Sequence, residues 1–125
     1  MSLNLHSSPA TRSIEKIPTV STETFDALIS KGRGPIAVEF MSYGCSHCGA
    51  LEPILQQIAE MIENKAKIFR VNVEVDPELA EDYQVQATPT LIMFLNGKTV
   101  GRSDGPSPTV PSVLTAISQP FRFSP

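Results

Sequence analysis

Cysteine and tryptophan are scarce in this chain of 125 residues, which has two cysteines and no tryptophan. Two cysteines are too few for a small scaffold that is held together by several disulfides. The pair, Cys45 and Cys48, is separated by only two residues, and a bridge across so short a loop removes little entropy from the unfolded chain. We therefore expect this pair to react or to bind metal rather than to stabilise the fold.

The chain also lacks a strong excess of charge and any long apolar run. Its net charge of -3 gives no electrostatic reason to bind nucleic acid or acidic membranes. The longest apolar stretches, such as residues 90–95, are far shorter than the roughly 20 residues that a membrane span requires. We expect neither a nucleic-acid partner nor a membrane span.

The length and the hydrophobic content of 41% indicate one globular domain. We assign residues 17–118 to that domain, residues 1–16 to a flexible polar arm and residues 119–125 to a C-terminal tail whose phenylalanines could dock on the body. The first residues show no apolar stretch of the secretory type. We therefore expect a cytoplasmic protein, or a periplasmic or otherwise exported one if a signal has been removed. We also expect a monomer.

The hydrophobic pattern predicts the order β-α-β-α-β-α-β-β-α. A nearly continuous apolar run is typical of a strand buried on both faces, whereas apolar residues that recur every three or four positions indicate a helix. The Asn96-Gly97 pair is a strong signal for a hairpin turn. Helices between the early strands imply parallel pairing there, and the hairpin adds an antiparallel edge. The predicted strands are 17–20, 36–41, 67–75, 90–95 and 99–102, and the predicted helices are 22–30, 45–63, a short one from Pro77 with Asp76 as N-cap, and 109–118.

The Cys45-Ser46-His47-Cys48 segment lies between a predicted strand and a predicted helix. A thiol attacks only as the thiolate, and a free cysteine of pKa ~8.5 is about 3% ionised at neutral pH. The start of a helix offers unpaired N–H groups and the positive end of the dipole, which stabilise a thiolate. We therefore predict that Cys45 is the exposed attacking residue. Cys48, one turn later, would be the buried resolving residue.

A metal site is the main alternative for such a pair. Zinc sites normally add a second cysteine pair or a histidine pair, but the only histidines are His6, in the arm, and His47, between the cysteines. Haem attachment requires histidine directly after the second cysteine, where this chain has Gly49. We expect no metal and no cofactor other than a redox-active Cys45–Cys48 disulfide.

From about residue 18 to residue 118, the sequence resembles the thioredoxin superfamily. The resemblance implies a three-layer α/β sandwich in which a central mixed sheet, with parallel strands and an antiparallel hairpin, is flanked by helices. It rests on several separate motifs: residues 37–40 before Gly44-Cys45-Ser46-His47-Cys48, Pro53 in the following helix, Asn72 followed by Asp76-Pro77, Tyr83 to Thr90 with Thr88-Pro89-Thr90, and Phe94-Leu95-Asn96-Gly97-Lys98.

The resemblance also implies roles for individual residues. Pro89 would follow a cis peptide bond beside the active disulfide, and the Thr88 backbone would pair with an extended substrate chain. Glu39 stands where the family has a buried acid, and would accept the proton of Cys48. The residues expected to contact substrate are Tyr43, Gly44, Ser46, His47, Thr88 and Pro89.

The departures from the family pattern leave the direction of electron flow open. The family usually has tryptophan before the first cysteine and Gly-Pro between the two, whereas this chain has Gly44, Ser46 and His47. A protonated His47 could stabilise the thiolate and make the disulfide a stronger oxidant. The resemblance implies a thioredoxin-type reductant of protein disulfides with an upstream thiol reductase or oxidase as partner. The alternatives are an oxidising or isomerising relative and a non-catalytic binding module.

Arg70 and Lys98 are interpreted as solvated charges.

Overall fold

A computed structural model describes residues 16–123 of the chain. The predicted arm, except for Lys16, and His6 within it lie outside the described residues, as do the last two positions. The described chain forms four strands and four helices, one of which continues as a π-helix. In chain order they are α1 (Thr22–Phe25, continued by the π-helical Asp26–Ser30), β1 (Pro35–Met41), α2 (Ser46–Met61), β2 (Lys67–Asn72), α3 (Pro77–Asp82), β3 (Thr90–Leu95), β4 (Lys98–Asp104) and α4 (Val110–Phe121).

The four strands form one mixed sheet in the order β2-β1-β3-β4. Strand β1 pairs in parallel with β2 and antiparallel with β3, and β3 pairs antiparallel with β4. The parallel pair is joined through α2, as a crossover connection requires. The predicted α/β fold with a mixed central sheet is confirmed.

Both faces of the sheet are covered by helices, because the inner strands are apolar on both sides and alternate residues point to opposite faces. We call the two resulting layers the α2/α4 layer and the α1/α3 layer, after the helices that line them. The buried side chains of the α2/α4 layer include Ala37, Leu55, Ile68, Met93 and Ile117. Those of the α1/α3 layer include Ile29, Val38, Val71, Leu79 and Phe94.

The predicted edge strand at residues 17–20 forms only one bridge, between Thr19 and Arg70. Two backbone hydrogen bonds hold it beside β2: Val20 N–H donates to the Arg70 carbonyl at 2.8 Å, and Arg70 N–H donates to the Pro18 carbonyl at 2.9 Å. Pro18 has no N–H to donate, which suits a segment at the edge of a sheet.

The Asn96-Gly97 pair forms the predicted hairpin turn. Both residues have positive φ, 52° for Asn96 and 84° for Gly97, as a two-residue hairpin turn of the favoured twist requires. A Cβ atom on Gly97 would lie 2.0 Å from the Ser30 carbonyl oxygen. Glycine is needed there both for its backbone conformation and for the space.

Some predicted element ends differ from the observed ones. Strand β2 ends at Asn72 rather than at residue 75, where the chain turns and Asp76 N–H donates to the Asn72 carbonyl. Helix α4 continues through Phe121 rather than ending at Ser118, because Phe121 and Phe123 pack against the α2/α4 layer. Within the described part of the chain, no helix has the length and apolar character needed to cross a membrane.

Candidate active site

Cys45 is the N-cap of α2, the position expected for the attacking residue. Its backbone is extended, and its Sγ accepts a hydrogen bond from Cys48 N–H at 3.0 Å. This is the bond that a capping side chain normally makes to the first turn of a helix. The sulfur is thus aimed at unpaired N–H groups of the helix start, and Cys45 is partly exposed.

Cys48 lies one turn further along α2 and is 3% exposed. It shares the buried face of α2 with Leu51 and Leu55, whereas the residue next to it, Gly49, is exposed. Both cysteines are thiols in this structure. The predicted difference in exposure between the two residues is therefore observed.

The surroundings of the two sulfurs shift their pKa values in opposite directions. Burial opposes ionisation of Cys45, but hydrogen bonds from the Cys48 and Thr88 side chains and from the Cys48 and His47 backbone outweigh it, so the pKa of Cys45 is lowered. Burial, together with the hydrogen bond to Cys45, raises the pKa of Cys48 from 9.0 to about 11. Of the two thiols, Cys45 is therefore the one that ionises at the lower pH.

The loop before β3 lies against the Cys45 sulfur. The Thr88–Pro89 peptide bond is cis, as the resemblance implied, and the Cys45 thiol donates to the Thr88 carbonyl at 3.5 Å. The Pro89 carbonyl accepts from Gly105 N–H at 2.8 Å, which joins this loop to the end of β4. Thr88 is partly exposed and Pro89 is buried.

Among the described contacts, the His47 ring makes no hydrogen bond to the Cys45 sulfur. Its Nε2 donates to the Pro106 carbonyl at 2.9 Å, so the ring bridges the start of α2 and the loop after β4. Pro106 is buried, and its part in the site was missed by the sequence analysis because nothing near His47 in the sequence indicates the loop that faces it.

The other residues expected to contact substrate surround Cys45 on the surface. Tyr43 is 72% exposed, and Gly44 and Ser46 are exposed as well. The loop that carries them is held by Ser42, whose Oγ accepts from Gly44 N–H at 3.2 Å and whose carbonyl accepts from Cys45 N–H at 3.2 Å. Their contact with substrate stays a prediction.

Glu39 is fully buried on β1, at 0% exposure. Neither of its carboxyl oxygens has a hydrogen-bond partner among the described residues. Burial raises the pKa of Glu39 from 4.5 to about 7, although the nearby Arg70 guanidinium acts to lower it. Glu39 lies two residues after Ala37 on β1, so its side chain points to the same face of the sheet, that of the α2/α4 layer.

The interpretation of Arg70 as a solvated charge was wrong. Arg70 is directly paired with Glu39 in the β1–β2 register, is 7% exposed, and places Nε 3.7 Å from Glu39 Oε1. Its Nη2 donates to both Glu52 carboxylate oxygens at 2.7 Å. Lys98, in contrast, is exposed, in agreement with its interpretation.

Glu52 was also missed by the sequence analysis. The available signal was its spacing: Glu52 follows Cys48 by four residues, which places both on one face of α2. Cys48, Glu52 and Arg70 line a common cavity of about 370 Å³ together with Met41 and Tyr43. The cavity thus brings the buried cysteine, the Glu52 carboxylate and the Arg70 guanidinium together, and Arg70 links them to Glu39.

Among residues 16–123, no group of three or more histidine, cysteine, aspartate or glutamate side chains is arranged to hold a metal ion. The reactive groups that the structure places at this site are a partly exposed thiol, a buried second thiol and a buried carboxyl group.

Comparison with known proteins agrees with this geometry. The family model described as Thioredoxin matches residues 16–116. Thioredoxin Y, chloroplastic, of Oryza sativa subsp. japonica is 35% identical over 68% of this chain and 51% of its own length. The Thioredoxin of Rickettsia bellii (strain RML369-C) is 32% identical over 63% of this chain and 75% of its own length. The match thus spans about half of the rice relative and three quarters of the bacterial one. On the family match and the arrangement of Cys45, Cys48 and Pro89, the chain belongs to the thioredoxin family.

Proposed function

We propose that this chain is a thiol–disulfide oxidoreductase that reduces protein disulfides through Cys45 and Cys48. The observation that carries the proposal is the unequal pair at the start of α2. Cys45 is partly exposed with a lowered pKa, whereas Cys48 is buried with a pKa raised to about 11. An attacking and a resolving thiol need this division.

In the proposed reaction, the Cys45 thiolate attacks one sulfur of a substrate disulfide. The substrate S–S bond breaks, the other substrate sulfur leaves as a thiolate and takes up a proton, and a mixed disulfide joins Cys45 to the substrate. Cys48 then loses its proton and attacks the Cys45 sulfur, which releases the second substrate thiolate. The substrate gains two electrons and two protons, and the protein is left with a Cys45–Cys48 disulfide. An upstream thiol reductase would restore the dithiol.

Glu39 is proposed as the acceptor of the Cys48 proton. A buried carboxyl group with a pKa of about 7 changes charge close to neutral pH, which suits a general base. Thr88 is proposed to pair with the substrate backbone, an assignment supported by its position next to the Cys45 sulfur. Tyr43, Gly44, Ser46 and His47 would form the rest of the contact surface.

The test is turnover of a protein disulfide such as that of insulin, with dithiothreitol as the electron source. We expect Cys45→Ser to abolish turnover and Cys48→Ser to accumulate a mixed disulfide that mass spectrometry detects. Turnover by Cys45→Ser would show that the nucleophile is wrongly assigned. Full biological function of a variant with both cysteines replaced would instead favour a binding module that uses the fold without its chemistry.

The direction of electron flow is tested by equilibrating the Cys45–Cys48 pair in glutathione buffers of known ratio. As a reductant, the protein should have a potential near the ~-270 mV of thioredoxin, whereas a value near the ~-120 to ~-180 mV of oxidising relatives would indicate disulfide formation or isomerisation. The contact of the His47 ring with Pro106 rather than with Cys45 favours the reductant.

The cytoplasmic location and the monomeric state stay predictions, checked by cell fractionation and by sedimentation.

A further inference from the structure

Arg70 lies between two carboxyl groups and binds them unequally. Its Nη2 is 2.7 Å from both oxygens of Glu52, whereas its Nε is 3.7 Å from the nearest oxygen of Glu39. The first contact is a short, charge-assisted hydrogen bond. The second lies beyond hydrogen-bonding distance.

This unequal pairing leaves Glu39 without a donor. Its two oxygens are buried and have no hydrogen-bond partner among the described residues, and Arg70 Nε has none either. Ionisation of Glu39 is costly because its oxygens are buried and accept no hydrogen bond from the described residues, and the more distant Arg70 charge offsets this cost only in part. The neutral, protonated form of Glu39 is therefore favoured as long as Arg70 is engaged elsewhere.

The other groups that face Glu39 do not supply the missing stabilisation. Among the described residues, Arg70 on β2 and Glu52 on α2 are the charged groups that act on it, and Cys48 is the titratable thiol of the same layer. The residue that pairs with Glu39 on the antiparallel strand β3 is the apolar Leu91. The buried residues of α4, Val113 and Ile117, are apolar as well. Glu52 and Arg70 thus dominate the electrostatic surroundings of Glu39.

We propose that Glu52 is a positioning residue of the redox reaction. Through its own charge and by holding the Arg70 guanidinium on itself, it sets the pH at which the Glu39 carboxyl group loses its proton and becomes able to accept that of Cys48. This inference rests on the proposed role of Glu39 in the reaction. Glu52 is suited to the task because its side chain is 33% exposed. It lines the cavity that it shares with Cys48 and Arg70.

The key variant is Glu52→Gln, which keeps the size of the side chain and removes its charge. Arg70 then has Glu39 as its remaining carboxylate partner, and the negative charge of Glu52, which itself raises the pKa of Glu39, is gone. Both changes favour the ionised form of Glu39, so its titration midpoint should fall by about one pH unit. The midpoint is measured directly by NMR of the reduced protein with carbon-13 in the glutamate carboxyl groups. This readout does not depend on activity.

The effect on the reaction is measured at the resolving step. Cys45 is first joined to an aromatic thiol in a mixed disulfide, and the coloured thiol released by Cys48 is followed at different pH values. In Glu52→Gln the pH midpoint of this release should fall together with that of Glu39. Glu60→Gln is the matched control because Glu60 is exposed on the same helix, and it should leave both midpoints unchanged. Glu52→Ala serves as a second variant if the glutamine side chain still holds Arg70.

Each outcome decides the inference. Parallel shifts of the two midpoints support it. A Glu39 midpoint that is unchanged in both Glu52 variants overturns it, and so does a shift of Glu39 that leaves the release profile unchanged. The proposed oxidoreductase function is judged separately, by whether the wild-type protein reduces insulin and Cys45→Ser does not.

Discussion

At the residue scale, the two sulfurs of the site differ by their surroundings and not by their chemistry. Cys45 Sγ accepts the Cys48 N–H at the start of α2, whereas Cys48 is enclosed by the α2/α4 layer. The sequence predicts both positions, because Cys45 directly follows the loop at the helix start, whereas Cys48 precedes Leu51 and Leu55 on the apolar face of α2. The size of the difference depends on packing, which spacing does not specify.

The first prediction concerns alkylation of the two thiols. We expect iodoacetamide to modify Cys45 far faster than Cys48 at neutral pH, because the pKa of Cys45 is lowered and that of Cys48 is raised to about 11. The rates are measured by mass spectrometry of peptides across a pH series, and the ultraviolet absorbance of the thiolate in Cys48→Ser reports the Cys45 titration alone. Equal rates for both cysteines in the native protein would contradict the assignment.

The second prediction concerns the pH dependence of stability. Because the pKa of Glu39 is raised from 4.5 to about 7 in the folded protein, the folded state binds more protons than the unfolded chain between these values. The contribution of Glu39 to the free energy of unfolding therefore falls as the pH rises through this interval, by roughly 3 kcal/mol in all. Glu39→Gln cannot ionise and does not lose this stability, so the difference in free energy of unfolding between the variant and wild type should shift by that amount in favour of the variant from low pH to pH above the interval.

The measurement is urea unfolding of the two proteins at several pH values on both sides of the interval. Glu60→Gln, on the surface of α2, should keep the wild-type dependence. Stability curves for Glu39→Gln and wild type that stay parallel from low to high pH would show that Glu39 ionises normally.

At the element scale, the strand and helix positions follow closely from local patterns, and the errors occur where distant residues meet. The apolar runs predict β1 and β3, and Asn96-Gly97 predicts the turn between β3 and β4. The misinterpretation of Arg70 has a different origin: its partner Glu52 lies on α2, eighteen positions earlier. A charged side chain in an apolar strand can face solvent or form an ion pair inside the protein. The local sequence does not distinguish these two cases, because the ion pair depends on how α2 packs on the sheet.

The observed end of α4 shows the same limit. Pro120 would be expected to end a helix, yet α4 includes it in its last turn. Gly101 on β4 provides the space, because a Cβ there would lie 2.4 Å from Pro120 Cγ. The contact between a glycine of one element and a proline of another has no local signature in the sequence.

The third prediction compares two glycines with positive φ. Gly97 and Gly34 have φ of 84° and 78°, but a Cβ on Gly97 meets the Ser30 carbonyl whereas one on Gly34 meets nothing within 4 Å. Gly34→Ala should therefore cost only the conformational penalty of about 1 kcal/mol. Gly97→Ala should cost about 3 kcal/mol, since the hairpin or the end of the π-helix must also shift. Thermal unfolding of both variants checks the difference, and equal losses would show that the Ser30 contact is unimportant.

At the scale of the whole molecule, the two helical layers share one sheet. On strand β1, Ala37 packs in the α2/α4 layer and the next residue, Val38, packs in the α1/α3 layer. Loss of packing in one layer therefore disturbs the strand backbone that supports the other layer. The active site draws on both sides: the cysteines belong to α2, and the loop with Thr88 and Pro89 follows α3. A fold of this kind should unfold as one unit.

The fourth prediction tests this cooperativity with one probe in each layer. Cys48 alkylation reports the α2/α4 layer. The fluorescence of Tyr83 reports the α1/α3 layer, where its ring contacts Phe25 and Phe94 at centroid distances of 5.5 Å. Since the chain has no tryptophan, replacing the exposed Tyr43 by phenylalanine leaves this signal uncontaminated.

We expect Leu55→Ala and Leu79→Ala, one in each layer, to destabilise the protein by about 2–5 kcal/mol, the usual range for a buried leucine. In each variant the urea midpoints of the two probes should stay equal, because loss of either layer removes the support of the shared sheet. Separate midpoints, with Cys48 still protected after Tyr83 is exposed in Leu79→Ala, would contradict a single unit. The dithiol would then rest on the α2/α4 layer alone, and the loop with Thr88 and Pro89 could detach from Cys45 without global unfolding.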